Sequence, residues 1–161
     1  MDQHDALRSH LRRLLSWQDA HADFDRTIEG IPPDLRGERL EGMPHSPWQL
    51  LEHMRFTQRD VLNFCRDPQY RAPTWPDDYW PATAEPPTPD AWEDTVAAFR
   101  EDRAALESLA TNPATDLFAS VPTGNPDQTY LRELLLVADH NAYHLGQLVL
   151  VRRQLGVWAV S

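Results

Sequence analysis

The positions of proline constrain the fold of this chain more than any other feature of its sequence. The 161 residues include 14 prolines, which cluster in residues 32–47, 68–89 and 113–126. Proline is excluded from helix interiors because it lacks a backbone N–H and its ring clashes with the preceding turn. The four long segments left almost free of proline carry apolar residues at helical spacing. The sequence therefore predicts an all-α fold, a four-helix bundle formed by a single domain over residues 1–161.

Capping signals bound the four predicted helices. The second has the clearest start, because Ser46-Pro47-Trp48-Gln49 combines a capping box with proline in the first turn. The third is expected to open with a cap and a proline at Thr88-Pro89. A short strand around residues 118–121 is a further possibility. The predicted helices cover about residues 3–29, 46–67, 88–110 and 129–155.

The connection between the second and third helices is unusually long. Antiparallel neighbours in a bundle are normally joined by a few residues, whereas this connection spans residues 67–88. An extended segment of that length can climb a whole helix of about 30 Å. We therefore predict a crossover between two parallel helices. Its tryptophans, which include Trp75 and Trp80, are expected to pin the connection over the bundle, and lining a substrate site is the alternative.

Composition narrows the classes of function. The net charge is −10, from 25 acidic and 15 basic residues, which disfavours binding to nucleic acid. No apolar run is long enough for a membrane span, and the N-terminus has no signal-peptide pattern. The single cysteine, Cys65, lies in an apolar helical context, so we expect a buried inert thiol rather than a nucleophile. The expected location is the cytoplasm.

Two histidines on the fourth predicted helix offer the strongest chemical signal. His140 and His144 are four residues apart, so their imidazoles lie on one face of the helix and point the same way. This spacing is typical of zinc-binding helices. A metalloprotease would have glutamate directly after the first histidine, but Asn141 stands there. The pair therefore predicts metal ligation without that general base.

His53 on the second predicted helix is a candidate third ligand. It lies close to the apolar stripe of that helix, where a lone histidine is often only a hydrogen-bonded core residue. Three buried imidazoles with neither a metal nor hydrogen-bond partners would be costly, which leaves two interpretations, a metal site and a polar core network. Three nitrogen ligands with one open position are typical of a reactive metal site.

Two stretches of the sequence resemble the DinB-like superfamily, a group of small metal-binding four-helix bundles related to bacterial thiol-dependent S-transferases. The matching pieces are Ser46-Pro47-Trp48-Gln49-Leu50-Leu51-Glu52-His53 and Asp139-His140-Asn141-Ala142-Tyr143-His144-Leu145-Gly146-Gln147. The resemblance implies an up-down-down-up topology. It also implies that His53, His140 and His144 are the metal ligands, completed by water.

The resemblance says less about the reaction. It implies a divalent transition metal, most simply zinc or nickel, and either a metal-dependent transferase or hydrolase that uses a small thiol in stress or detoxification chemistry, or a non-catalytic metal- or ligand-binding stress protein. Asp60, Tyr143 and Gln147 lie within two turns of the ligands and are expected to support them. The expected partners are a small-molecule substrate or thiol and a second copy of the chain, with neither nucleic acid nor membrane.

Overall fold

The computed structural model describes residues 2–16 and 19–158, and this part of the chain is helical, as predicted. α3 packs against both α4 and α5, and α1 packs mainly against α4. No helix within the described residues is both long and apolar enough to cross a bilayer. The helices are α1 (Gln3–Leu14), α2 (Phe24–Ile28), α3 (Pro47–Arg66), α4 (Ala91–Thr111) and α5 (Tyr130–Gln154), with a 3-10 turn at Pro33–Leu35.

The prediction of one first helix over residues 3–29 is wrong, because two helices form there. α1 ends at Leu14, and α2 begins after Asp23, whose side chain accepts a hydrogen bond from the backbone N–H of Arg26. An N-cap residue adopts an extended backbone, here φ −74° and ψ 179°, which interrupts a continuous helix. Residues 17–18, which fall inside the predicted helix, lie outside the described part of the chain.

Arg152 explains how the short helix α2 is held. The arginine is only 5% exposed, and its guanidinium donates to the backbone carbonyls of Arg26 and Thr27 at the end of α2. It also donates to the carbonyl of Val157. These bonds satisfy carbonyl groups that a helix end leaves without partners. Arg152 therefore connects the C-terminal end of α5 to the C-terminal end of α2.

The predicted helix starts are confirmed for α3 and α5 but not for α4. The capping box of Ser46 and Gln49 forms, and Thr129 caps α5 by accepting from the backbone N–H of Arg132. α4 begins at Ala91 with Asp90 as its N-cap, two residues later than the predicted cap at Thr88, because the Thr88 carbonyl accepts from the Ala91 N–H in a preceding turn. In place of a strand at residues 118–121, the structure has an isolated antiparallel bridge, Ser120 to Thr129.

A polar layer divides the apolar core into two clusters. On α3 the first cluster ends at Met54 and the second begins at Val61, and the fully buried Gln58 lies between them. The same division occurs on α4 and α5, where Asp102 and Asn141 occupy the gap. The first cluster contains Phe24, Trp48, Leu51, Met54, Phe99 and Leu148, and the second contains Leu11, Leu62, Cys65, Leu106 and Leu134.

Hydrogen bonds connect the polar side chains of α3 to α4. Glu52 accepts from Thr95 at 3.0 Å, Gln58 donates to the Phe99 carbonyl at 2.8 Å, and Arg59 pairs with Asp102 at 2.7 Å. Residue numbers rise together along the two helices in this series. Gln58 also accepts from the Asn141 amide at 3.0 Å, so it connects all three helices.

Candidate metal centre

The three histidines proposed from the sequence meet between α3 and α5. One ring nitrogen from each of His53, His140 and His144 lies within 4.8 Å of the other two. His53 is 2% exposed and His144 is 7% exposed, while His140 is half-buried. The fold therefore brings together side chains that are 87 residues apart in the sequence.

The rings converge because two helices present them to one space. His140 and His144 lie one turn apart on α5, with ring centroids 4.5 Å apart. The His53 ring reaches across from α3 to within 4.9 Å of the His140 centroid and 4.6 Å of the His144 centroid. Nε2 of His53 lies 3.1 Å from Nε2 of His140.

Hydrogen bonds on the outer side of the rings determine which nitrogen carries the proton. Nδ1 of His53 lies 2.8 Å from the backbone carbonyl of Tyr79, and Nδ1 of His144 lies 2.7 Å from Oε1 of Gln147. Because both partners are acceptors, both Nδ1 atoms are assigned a proton. Nε2 of each ring is then left as a lone-pair donor that faces the centre of the triad.

Burial keeps the triad neutral. Desolvation lowers the pKa of His53 to about 4, assisted by the neighbouring His144 and His140 and opposed by the bond to Tyr79. Desolvation and His144 likewise lower the pKa of His140 to about 4, opposed by the Asn141 side chain. Burial also lowers the pKa of His144, against the effect of Gln147. Neutral imidazole is the form that binds metals, so the site is ready for ligation at pH 7.

The geometry fits a divalent transition metal. Nitrogens bound at about 2.0–2.1 Å in a tetrahedral site lie roughly 3.3 Å from one another, close to the distance between His53 and His140. If Nε2 of His140 carried a proton, it could form a hydrogen bond to Nε2 of His53 and satisfy that pair of rings. A cation could instead bind all three rings. An all-imidazole donor set suits zinc, nickel, copper or iron. The residues present can therefore hold such an ion.

Comparison with known families supports the resemblance noted in the sequence. A sequence model described as the DinB superfamily matches residues 16–148, which contain the whole triad. The chain belongs to the DinB superfamily. Neither the curated proteins nor the solved structures give a significant match. The family assignment is thus confirmed, and metal ligation by His53, His140 and His144 stays a prediction.

Trp80 covers this DinB-superfamily triad in a way that the sequence did not predict in detail. Its indole stacks on His53, with centroids 3.7 Å apart and planes 5° apart. The opposite face of the indole stacks on His45 at 3.6 Å and 9°. The expectation that tryptophans pin the connection thus agrees with Trp80, whereas Trp75 is 69% exposed. His45 was missed, and its place directly before the cap of α3 was the available signal.

The other polar candidates differ in how they contact the triad. Gln147 contacts His144 directly and donates to the hydroxyl of Tyr143, which is itself 64% exposed. Asp60 does not contact the histidines but accepts from two tyrosine hydroxyls of the connection. Cys65 is 2% exposed, and burial raises its pKa to about 12, so it is the inert thiol that was expected.

Proposed function

We propose that this is a cytoplasmic protein that binds zinc or nickel through His53, His140 and His144. We further propose that it is a metal-dependent transferase or hydrolase that uses a small thiol in stress or detoxification chemistry. The observation that carries the proposal is the convergence of three neutral imidazoles between two helices, two of them buried and the third, His140, half-buried. Three nitrogen ligands leave one position of a tetrahedral ion for water, a thiol or a substrate.

The chain contributes orientation and exclusion of water. A bound divalent metal would keep a coordinated thiol as its thiolate near neutral pH. Tyr79 and Gln147 hold the rings of His53 and His144 in the tautomer that presents Nε2. Trp80 shields His53 from solvent on one side. The exposed Tyr143 ring lies 4.9 Å from the His144 ring, which marks the side from which a small molecule would approach.

The alternative is a non-catalytic metal- or ligand-binding stress protein. The observation that favours it is the degree of cover over the ligands. His53 is almost completely buried beneath Trp80, and His144 is also buried. A site closed to this extent suits retention of an ion, whereas turnover requires a path for substrate.

Metal analysis tests the site itself. Protein purified without a nickel column should contain about one transition-metal ion per chain, as a single three-histidine site requires. His53→Ala should lose this ion. His45→Ala is the matched control, because His45 also stacks on Trp80 but does not belong to the triad. A wild-type protein without metal, even after incubation with zinc or nickel, would disprove the site.

A thiol panel then distinguishes the enzyme from the binding protein. Metal-loaded protein is incubated with each of several small thiols and a chromogenic electrophile. Turnover that a chelator abolishes and added metal restores supports the transferase. If wild type and His53→Ala give equal rates with every thiol, the transferase is rejected and the non-catalytic binding protein remains.

We also propose the up-down-down-up topology and a homodimer. The rising order of the α3 to α4 hydrogen bonds supports a parallel arrangement of these helices, which a connection as long as residues 67–90 allows. Leu136, Tyr143 and Leu150 are all exposed at seven-residue spacing on α5, so they form one apolar stripe. Sedimentation analysis of wild type and Leu150→Glu tests the dimer, which the variant should dissociate.

A further inference from the structure

Asp60 receives two hydrogen bonds from the connection between α3 and α4. Its Oδ1 accepts from the hydroxyl of Tyr70 at 2.8 Å, and its Oδ2 accepts from the hydroxyl of Tyr79 at 2.7 Å. Burial and the bond to Asp60 raise the pKa of Tyr79 to about 12, and the pKa of Tyr70 is raised for the same reasons. Both phenols therefore remain donors, and the connection is held to α3 at two points.

One of these tyrosines leads directly to the triad. The backbone carbonyl of Tyr79 accepts from Nδ1 of His53 at 2.8 Å. The next residue, Trp80, stacks on the same imidazole. The Tyr79 ring also meets Phe56 edge to face at 5.2 Å, which adds an apolar contact with α3. The position of Tyr79 thus determines both the hydrogen bond and the stacking partner of His53.

Tyr70 provides an internal comparison. It donates to the same carboxylate over nearly the same distance, and it is half-buried like Tyr79. Its ring packs against Phe64, at 5.1 Å, rather than near the histidines. The two hydroxyls are therefore chemically alike but differ in whether the bonded residue also contacts His53.

We propose that Asp60 is a positioning residue for His53, acting through the Tyr79 hydroxyl to hold the Tyr79 carbonyl on Nδ1 and the Trp80 indole on the ring. Asp60 and His53 are seven residues apart on α3, so Tyr79 contacts this helix at two points about two turns apart. Hydrogen bonds beyond the ligands fix ring orientation and tautomer in metal sites. The inference rests on the proposed metal site for its effect on affinity.

The matched pair Tyr79→Phe and Tyr70→Phe tests this assignment. Each variant deletes one hydroxyl from the same carboxylate. Competition with a chromogenic chelator should show that Tyr79→Phe weakens Zn²⁺ and Co²⁺ binding by about 10-fold or more, the range for loss of an outer partner. Tyr70→Phe should change affinity by less than about 3-fold, and Asp60→Ala should match Tyr79→Phe. The urea midpoints of the two metal-free Tyr variants should fall by similar amounts, because each loses one hydrogen bond to the same carboxylate.

Equal weakening by the two Tyr variants, or none in either, would overturn the proposal. A second readout needs no metal. Long-range ¹H–¹⁵N spectra of the metal-free protein should show His53 protonated at Nδ1 in wild type and Tyr70→Phe, and a mixture of tautomers in Tyr79→Phe. An unchanged His53 tautomer in Tyr79→Phe would refute the positioning role. A wild type that binds no metal would instead reject the proposed function, and the spectra would still decide the role of Asp60.

Discussion

The two faces of α3 hold their polar side chains in different ways. Toward α4, polar side chains meet complementary partners, as in the Arg59 to Asp102 ion pair and the bond from Gln58 to the Phe99 carbonyl. Toward α5, His53 meets two more imidazoles, and its Nε2 lies 3.1 Å from Nε2 of His140. The first face is complete within the protein, whereas the second brings together three groups of the same kind.

This difference separates a structural polar layer from a candidate site. Complementary partners offset part of the desolvation cost of buried polar groups, as Arg59 does for Asp102. Convergent lone-pair donors lack such an offset and gain from a cation. Buried polarity alone would not have distinguished the two faces, but the identity of the facing atoms does.

The largest expected effect comes from removing one of the convergent nitrogens. His140→Ala should lower zinc affinity by more than about 100-fold, beyond the effect of losing an outer partner, because it deletes a ligand. Chelator competition measures the change. Asp102→Ala on the opposite face should keep affinity within about 2-fold, since sites without shared partners act independently. Equal losses of affinity in the two variants would remove the distinction between the faces.

Gln58 is the side chain that joins the two faces, and its loss should affect stability. Gln58→Leu should lower the free energy of unfolding by about 2–3 kcal/mol, because the buried Asn141 amide loses its acceptor and the Phe99 carbonyl loses a donor. Urea denaturation measures this. Gln154→Leu, the same change at an exposed position on α5, should stay within about 0.5 kcal/mol. A Gln58→Leu variant as stable as Gln154→Leu would contradict the role of the layer.

Acid should act on the two faces with opposite sign. In metal-free protein the pKa values of His53 and His140 are lowered from 6.5 to about 4, so the unfolded chain binds more protons between these values. Their contribution to stability is present above pH 6.5 and is lost as the pH falls toward 4, by on the order of 3 kcal/mol for each histidine. Desolvation instead raises the pKa of Asp102, against the effect of Arg59, so protonating it in acid relieves a cost.

Urea midpoints between pH 7 and 4 measure both contributions. Relative to wild type, His140→Ala should lose less stability on acidification, because one neutral-only imidazole has been removed. Asp102→Asn should lose more, because the carboxyl that favours acid is gone. If the three metal-free proteins lose stability equally as the pH falls, then His140 and Asp102 do not respond to acid with opposite sign.

The smallest effect is expected at Cys65, which lies on α3 but belongs to neither polar set. Cys65→Ala should cost about 1 kcal/mol of unfolding free energy for the lost apolar contact and leave zinc affinity unchanged. A thiol reagent should label Cys65 only after unfolding, because its pKa is raised to about 12. Rapid labelling of the folded protein would contradict its burial.

Local signals were sufficient to predict much of the fold. The starts of α3 and α5 followed from Ser46 and Thr129, because capping depends on residues within one turn. The break between α1 and α2 was missed because amphipathic spacing continues through it. The cap at Asp23 competes with that spacing, and the Arg152 guanidinium that holds α2 comes from the far end of the chain.

The candidate site was predictable to the extent that side chains define it. Helical spacing placed His140 and His144 together, the apolar stripe of the second helix made His53 a candidate third ligand, and the family resemblance implied that all three bind metal. The contacts from the connection were not predictable, because the acceptor for His53 is the backbone carbonyl of Tyr79, which every residue type carries. The stacking of Trp80 likewise depends on where an irregular segment crosses α3.

The 87-residue separation between His53 and His140 has a consequence for how the protein matures. An ion shared by these residues would act as a cross-link that closes a loop of that length, and it would stabilise the folded chain in proportion to the logarithm of its concentration. During synthesis α3 emerges before α5, so the complete ligand set exists only once α5 has been made. Metal would then enter late, and its supply would govern how long the finished protein survives rather than whether its helices form.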